Sequence, residues 1–197
     1  MIRRNLSLDV DGVLCNPVPS VLDIVNDKYG THYQEKDIKK FDQCLDVPRL
    51  KILNTVIGTK KLQLGPLFRK YTNDYDFVMS LKPLDVCKES LWFLNDIWDI
   101  NIHSTRPKES LPYLEEWFEV NDLPYNSITL DSGKDSGDVL IDDYDKNLLK
   151  FNNTKILFKH NWSINSTKTL DLIDEGEIIV CENWNQVYDQ LDKIHHF

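Results

Sequence analysis

Two acids and a glycine, Asp9, Asp11 and Gly12, break a short extended run, Asn5–Leu8, to open the stretch DVDGVL. Carboxylates this close in a dry site repel each other unless a cation or a shared proton lies between them. The pairing suits a Mg²⁺ site in which Asp9, at the strand end, is the nucleophile and Asp11, in the loop, is the general acid and base. Gly12 lets the chain turn without a side chain in the way. A calcium loop needs further ligands before its glycine and a glutamate beyond it, and neither is in place. A solvated acidic turn fits this stretch equally well when it is taken alone.

Three more polar clusters bear on the choice. Ser104 and Thr105 follow the short extended run 99–103 and stand just before Arg106 and Pro107; their hydroxyls and loop amides suit phosphate oxygens. Lys134, in SGKDSGD, is a cation suited to neutralising charge on a transferred phosphoryl group. Asp142 and Asp143 end the apolar run Val139–Ile141 and complete an acidic cradle for a hard cation. Each cluster also has an ordinary reading, respectively a strand-ending turn, a surface lysine and a helix N-cap. Gly133–Lys134 is like the end of a P-loop but lacks the upstream glycine. His103 reads as a core histidine. Cys15 reads as a packed thiol, because no activating base is evident.

The elements that must position these clusters alternate between extended and helical patterns. Strands are expected at 5–8, 99–103, 127–130, 139–141, 155–158 and 177–180. Helices are expected at 86–98, 111–120 and 183–194, with a short one closing at 148–151. This alternation argues for an α/β fold with a mostly parallel sheet and crossover helices. The strand ends at Asp9, Ser104 and Asp142 then share one edge, where ligands bind in such sheets. Between Cys15 and Lys82 the pattern changes. Val21, Leu22, Ile24 and Val25 form a helix face that stops at Tyr29–Gly30, and helices are expected at 37–41, 47–57 and 67–75. This segment is expected to be a small helical insert.

At 197 residues the chain has room for one good-sized core with a small lid. A net charge of −9 argues against generic attraction to nucleic acid or anionic membrane, leaving a small anion screened by a cation. The four cysteines show no close pairing pattern, which points to free thiols in a reducing compartment. No signal-peptide pattern opens the chain, and no stretch is apolar enough to span a bilayer.

The stretches DVDGVL, INIHSTRP, Lys134 and VLIDDYD, in that order and at strand ends, resemble the four motifs of the haloacid dehalogenase (HAD) superfamily. An acid two residues after the nucleophile is similar to the phosphatases and phosphomutases of that superfamily rather than its dehalogenases. The resemblance implies a Rossmannoid three-layer core, Mg²⁺ and an aspartyl-phosphate intermediate. Val25–Asp42, VNDKYGTHYQEKDIKKFD, and the tail with KILFKHNW and ENWNQV are similar to 5′(3′)-deoxyribonucleotidase-like proteins. Residues 15–82 would then be the cap, inserted after the first strand, over a core of residues 1–14 and 83–197. The resemblance assigns catalysis to Asp9 and Asp11 and phosphate binding to Ser104, Thr105 and Lys134. Metal binding falls to Asp9, Asp11, Asp142 and Asp143, with Asp143 favoured as the direct ligand. Phe41 stands where a bulky aromatic, often tryptophan, lines the substrate pocket, and Tyr29, Tyr33 and Phe68 are further aromatic candidates.

The expected function is therefore Mg²⁺-dependent hydrolysis of a nucleoside monophosphate, preferably a deoxyribonucleotide, in the cytoplasm. No membrane or nucleic-acid partner is expected. Two alternatives stand beside it: a phosphatase for a sugar phosphate or a polynucleotide end, and a binding module with a dead site.

Overall fold

A computed structural model describes residues 3–52, 55–131, 134 and 136–196. Six parallel strands form one sheet in the order β5-β4-β1-β6-β7-β8. The strands are β1 (Arg4–Leu8), β4 (Trp98–Ser104), β5 (Ser127–Leu130), β6 (Val139–Asp142), β7 (Thr154–Phe158) and β8 (Ile178–Cys181). β6 is buried along its whole length, as a central parallel strand covered on both faces should be. Helices α4 (Cys87–Leu94), α5 (Leu111–Val120), α6 (Asp145–Leu148), α7 (Thr167–Asp174) and α8 (Trp184–His196) belong to the connections and the C-terminus.

Register brings the site together. Leu8 pairs with Ile102 on one side and with Ile141 on the other. One residue further along, Asp9 and Asp142 leave the sheet side by side, and the Asp9 amide still donates to the Ile141 carbonyl at 3.0 Å. From β1 the chain goes outward to β4 and β5, then returns to β6 on the opposite side of β1. The order therefore reverses beside Asp9, which is where an open α/β sheet leaves a crevice for ligands.

The return from β5 to β6 takes only residues 131–138, whereas a parallel crossover usually needs a dozen or more residues and a helix. Here the Asp131 amide donates to the Ser104 carbonyl, the Ser7 hydroxyl to the Ser136 carbonyl at 2.7 Å, and the Asp138 amide to the Asn5 carbonyl. The described residues of the link thus lie against the sheet, and Lys134 reaches Asp9 just past the end of β1. Gly137 allows this approach: its φ is +117°, and a Cβ there would lie 2.5 Å from the Ser7 hydroxyl oxygen.

The segment between β1 and β4 contributes no strand to this sheet among the described residues. It holds α1 (Val18–Tyr29), α2 (Leu64–Tyr71) and α3 (Tyr75–Ser80). It also holds an antiparallel hairpin, β2 (Cys44–Ile52) with β3 (Thr55–Gln63). The helix expected at 47–57 is thus corrected to strand. Leu45 and Val47 are buried while Cys44 and Asp46 are exposed, a period of two over too few residues to stand out. The helix expected at 37–41 is a single 3-10 turn, Glu35–Asp37, and the one expected at 67–75 is replaced by α2 and the start of α3. The two ends of the segment meet, because Cys15 and Pro83 form an isolated bridge and the Leu84 amide donates to the Leu14 carbonyl at 2.8 Å.

Buried tryptophans tie the layers together. Trp117 of α5 donates its indole N–H to the Leu81 carbonyl, and Trp184 of α8 donates to the Val13 carbonyl, both at 2.8 Å. The second bond pins the loop after Asp9 to the C-terminal helix. Among the described residues, no helix is long and apolar enough to cross a membrane.

Candidate active site

The loop after β1 is wound on one carbonyl: the amides of Val13, Leu14 and Cys15 all donate to Val10 O. Gly12 has φ +84°, and a Cβ on it would lie 2.3 Å from Asp143 Oδ2. Only glycine lets the loop rest against that carboxylate.

Asp9, Asp142 and Asp143 are buried and offer carboxylate oxygens within 4.8 Å of one another. Lys134 Nζ stands 2.6 Å from Asp9 Oδ2 and 2.7 Å from Asp142 Oδ2. Asp142 is fully committed: Oδ1 accepts from the Tyr144 amide at 2.8 Å, and Oδ2 also accepts from Asn147 Nδ2 at 3.0 Å. Asp143 Oδ2 accepts from the Trp162 indole N–H at 2.6 Å.

The electrostatics follow from three acids sharing one lysine. Burial pushes Asp9 up to about 7; Lys134 pulls it down, while Asp142 and Asp11 push it further up. Burial and the charges of Asp142 and Asp9 hold Asp143 well above the usual carboxylate range. Burial pulls Lys134 down, but Asp142 and Asp9 outweigh it, so the ammonium keeps its proton. The donor set is oxygen only and carries an excess of buried negative charge, which fits a hard divalent cation such as Mg²⁺.

Asp11 does not join this cluster. Both of its oxygens are held by Arg106, which is buried. Cys15 Sγ lies 3.8 Å from Arg106 Nη2, and burial with the nearby Asp11 charge pushes its thiol up, so it stays protonated. The four cysteines are free.

Above the acids lies a pocket of about 270 Å³. Asp9, Asp11, Asp143, Thr105 and Arg106 line it, together with the aromatic group Phe41, Phe68 and Tyr144. Phe41 stacks on Phe68 with ring centroids 5.7 Å apart and leans on Tyr144 at 5.3 Å. On α2, Gly65, Phe68 and Arg69 turn one face to the pocket.

Of the residues singled out from sequence, Asp9, Asp11, Gly12, Thr105, Asp143, Phe41 and Phe68 line the pocket, while Lys134 and Asp142 do not line it and Lys134 joins Asp142 to Asp9. Ser104 is placed differently. It is buried at the end of β4, it does not line the pocket, and its hydroxyl accepts from the Arg106 amide at 3.2 Å. Tyr29 and Tyr33 also lie away from the pocket; the Tyr33 hydroxyl donates to the Asp46 carbonyl. Arg106, Trp162, Tyr144, Asn147 and Arg69 are site residues that sequence reasoning did not pick out. The signals for Arg106 and Tyr144 were their places directly inside STRP and IDDYD.

Solved structures share the fold of this parallel sheet with its reversal beside a buried acidic strand end. A haloacid dehalogenase-like hydrolase, SP0104 from Streptococcus pneumoniae, is 12% identical, with 96% of this chain and 98% of that one covered and a TM-score of 0.60. A predicted phosphoglycolate phosphatase from Haemophilus somnus 129PT is 10% identical over 96% and 98%, with a TM-score of 0.57. The HAD-type protein YfnB from Bacillus subtilis, solved bound to magnesium, is 12% identical over 98% and 100%, with a TM-score of 0.55. At these identities the likeness is one of fold. No curated protein matches the chain. The family model described as 5′ nucleotidase, deoxy (pyrimidine), cytosolic type C protein (NT5C) matches residues 3–196, and the chain belongs to that family.

Proposed function

We propose that this member of a phosphatase family hydrolyses a deoxyribonucleoside monophosphate, with Mg²⁺ as cofactor and an aspartyl-phosphate intermediate. The observation that carries the reading is Asp9, paired with Lys134, in the lining of a pocket that Phe41, Phe68 and Tyr144 also line. An aromatic wall suits a stacked base. A pocket near the lower end of the usual range, roughly 300 to 1,000 Å³, suits a mononucleotide better than a polynucleotide end. In this reading residues 15–82 act as a cap over the core of 1–14 and 83–197. Location in the cytoplasm belongs to the same reading, supported by the family's cytosolic-type description and by four free thiols.

The chemistry follows from where the charges sit. When bound, Mg²⁺ would supply the positive charge that lets an anionic carboxylate approach an anionic phosphate. Asp9, Asp143 and the Asp11 carbonyl would hold it, since both oxygens of Asp142 are engaged by Lys134, Tyr144 and Asn147. Asp9 attacks phosphorus. Lys134 neutralises charge on the transferring group, and Thr105 bonds its oxygens. Ser104 holds the loop in place by accepting from the Arg106 amide. Asp11 gives a proton to the leaving oxygen and later takes one from water, which requires Arg106 to loosen its grip when substrate arrives. Arg69 offers its guanidinium beside the aromatic wall, where the acceptor edge of a stacked base would lie.

Turnover of a panel of phosphate esters with Mg²⁺ tests the reading. Deoxyribonucleoside monophosphates are expected to show the highest kcat/KM. A sugar phosphate at the top of the panel would replace the substrate assignment, and no turnover of any ester would leave a binding module.

A further inference from the structure

The stretch Lys159–Trp162, KHNW, follows β7 and belongs to none of the four clusters. We propose that His160 and Trp162 are positioning residues for Asp143, holding it oriented for Mg²⁺ and tying that orientation to the loop after β1 and to the cap. The inference rests on the metal site proposed above.

Trp162 is 1% exposed, and its buried indole N–H needs an acceptor. It donates to Asp143 Oδ2 at 2.6 Å, a short bond to an ionisable partner. The same oxygen lies 2.3 Å from where a Cβ on Gly12 would stand. The carboxylate is therefore fixed between the indole and the Gly12 backbone, and Oδ1 is the oxygen left for the space shared with Asp9.

His160 completes the device. Its ring lies parallel to Trp162, 4.4 Å between centroids and 3° between planes. Its Nε2 is 2.7 Å from the Gly12 carbonyl, which can only accept, so Nε2 carries a proton and donates. Its Nδ1 faces Glu35 Oε1 of the insert at 3.8 Å, and the same Glu35 oxygen accepts from Asn16 Nδ2 at 3.0 Å. One pair of stacked rings thus touches the loop after the nucleophile, a metal-facing carboxylate and the insert. Partners of metal ligands set ligand orientation and commonly change metal affinity by about 10- to 100-fold when removed.

Core filling alone would also bury a tryptophan, so the test separates the N–H from the ring. Trp162→Phe keeps an aromatic ring and deletes the donor. His160→Phe keeps the stack and deletes the bond to Gly12, whereas His160→Gln keeps a donor. Mg²⁺ is titrated calorimetrically into the EDTA-stripped full-length chain and its variants, and Tm is measured in EDTA. Trp162→Phe is expected to weaken Mg²⁺ binding by about 10- to 100-fold. His160→Phe is expected to weaken it in the same direction and less, with His160→Gln recovering most of the loss. A lowered Tm with Mg²⁺ affinity within about twofold of wild type in both Phe variants would overturn the inference and leave a packing role. A wild-type chain that binds no Mg²⁺ would overturn the metal site itself.

Discussion

Arg106 grips Asp11 by both carboxylate oxygens, Nε on Oδ2 at 2.9 Å and Nη2 on Oδ1 at 2.6 Å. The guanidinium is buried, while Asp11 lines the pocket. Removing one partner of such a pair leaves the other charge stranded in a poor solvent for it, a loss of about 3 kcal/mol or more. Arg106→Met is therefore expected to lower unfolding stability by about that amount in urea melts. Adding Asp11→Asn removes the stranded charge, so the double variant is expected to lose less than the sum, by about 1 to 3 kcal/mol. Additive losses would mean that the pair contributes nothing as a pair.

Gly12 yields a second expectation. At φ +84° any other residue is strained, and its Cβ would come within 2.4 Å of the Asp143 carboxyl carbon as well as Oδ2. Gly12→Ala is expected to cost about 2 kcal/mol or more and to weaken Mg²⁺ binding, because Asp143 must move. A melt at wild-type Tm with unchanged Mg²⁺ affinity would show that the loop has room it does not display here.

The placement of the acids was legible because each ends an apolar run: Asp9 after Leu8, Asp142 after Ile141. A parallel sheet then leaves only its edge for them. Their partners were not legible. Arg106 and Asp11 are 95 residues apart, and Trp162 and Asp143 are 19 apart, on separate loops. No periodicity links a donor on one loop to an acceptor on another; only the strand order does. The hairpin β2–β3 was hidden for a local reason, since its buried side within 44–49 shows just Leu45 and Val47. Helix α7 was hidden likewise: among its eight residues only Thr169 is buried, and Leu170 is exposed.

Mg²⁺ and pH should act together on stability. Asp9, pushed up to about 7, and Asp143, also pushed up, bind protons more tightly in the folded chain than at their ordinary 3.8. The unfolded state then holds fewer protons than the folded one between about pH 4 and pH 7, so the metal-free protein loses stability as pH rises through that window. Mg²⁺ bound at these carboxylates would replace those protons. The gain in Tm from millimolar Mg²⁺ over EDTA is expected to be larger at about pH 8 than at about pH 5.5. A gain that is equal at both, or larger in acid, would place the ion away from these carboxylates.

Arg69 tests how the substrate is read. It is exposed on the pocket-facing side of α2, beside Phe68. Arg69→Met keeps the length of the side chain and removes the charge. KM for the best nucleotide is expected to rise by about 10-fold, the discrimination of a lost charged hydrogen bond. An aryl phosphate without a base acceptor edge should lose much less. Equal losses for both substrates would assign Arg69 to the phosphate instead.

The roles of Asp9 and Asp11 separate most clearly by leaving group. Asp9 lies against Lys134 in the acidic cluster, and Asp11 lies outside it on Arg106, so the two carboxylates do not share one environment. A nucleophile must meet phosphorus as an anion, and contact with a cation favours that form. An acid must carry a proton to the leaving oxygen, which matters most when that oxygen is a poor leaving group. Asp9→Asn is expected to abolish turnover and to trap no phosphoenzyme. Asp11→Asn is expected to slow nucleotide hydrolysis by about 10³-fold, yet to slow an aryl phosphate far less, because a phenolate departs without a proton. Beryllium fluoride is expected to attach to the Asp9 carboxylate in a crystal of the Mg²⁺ complex. Its attachment to Asp11 would reverse the two roles, and near-wild-type turnover by Asp9→Asn would remove the covalent step.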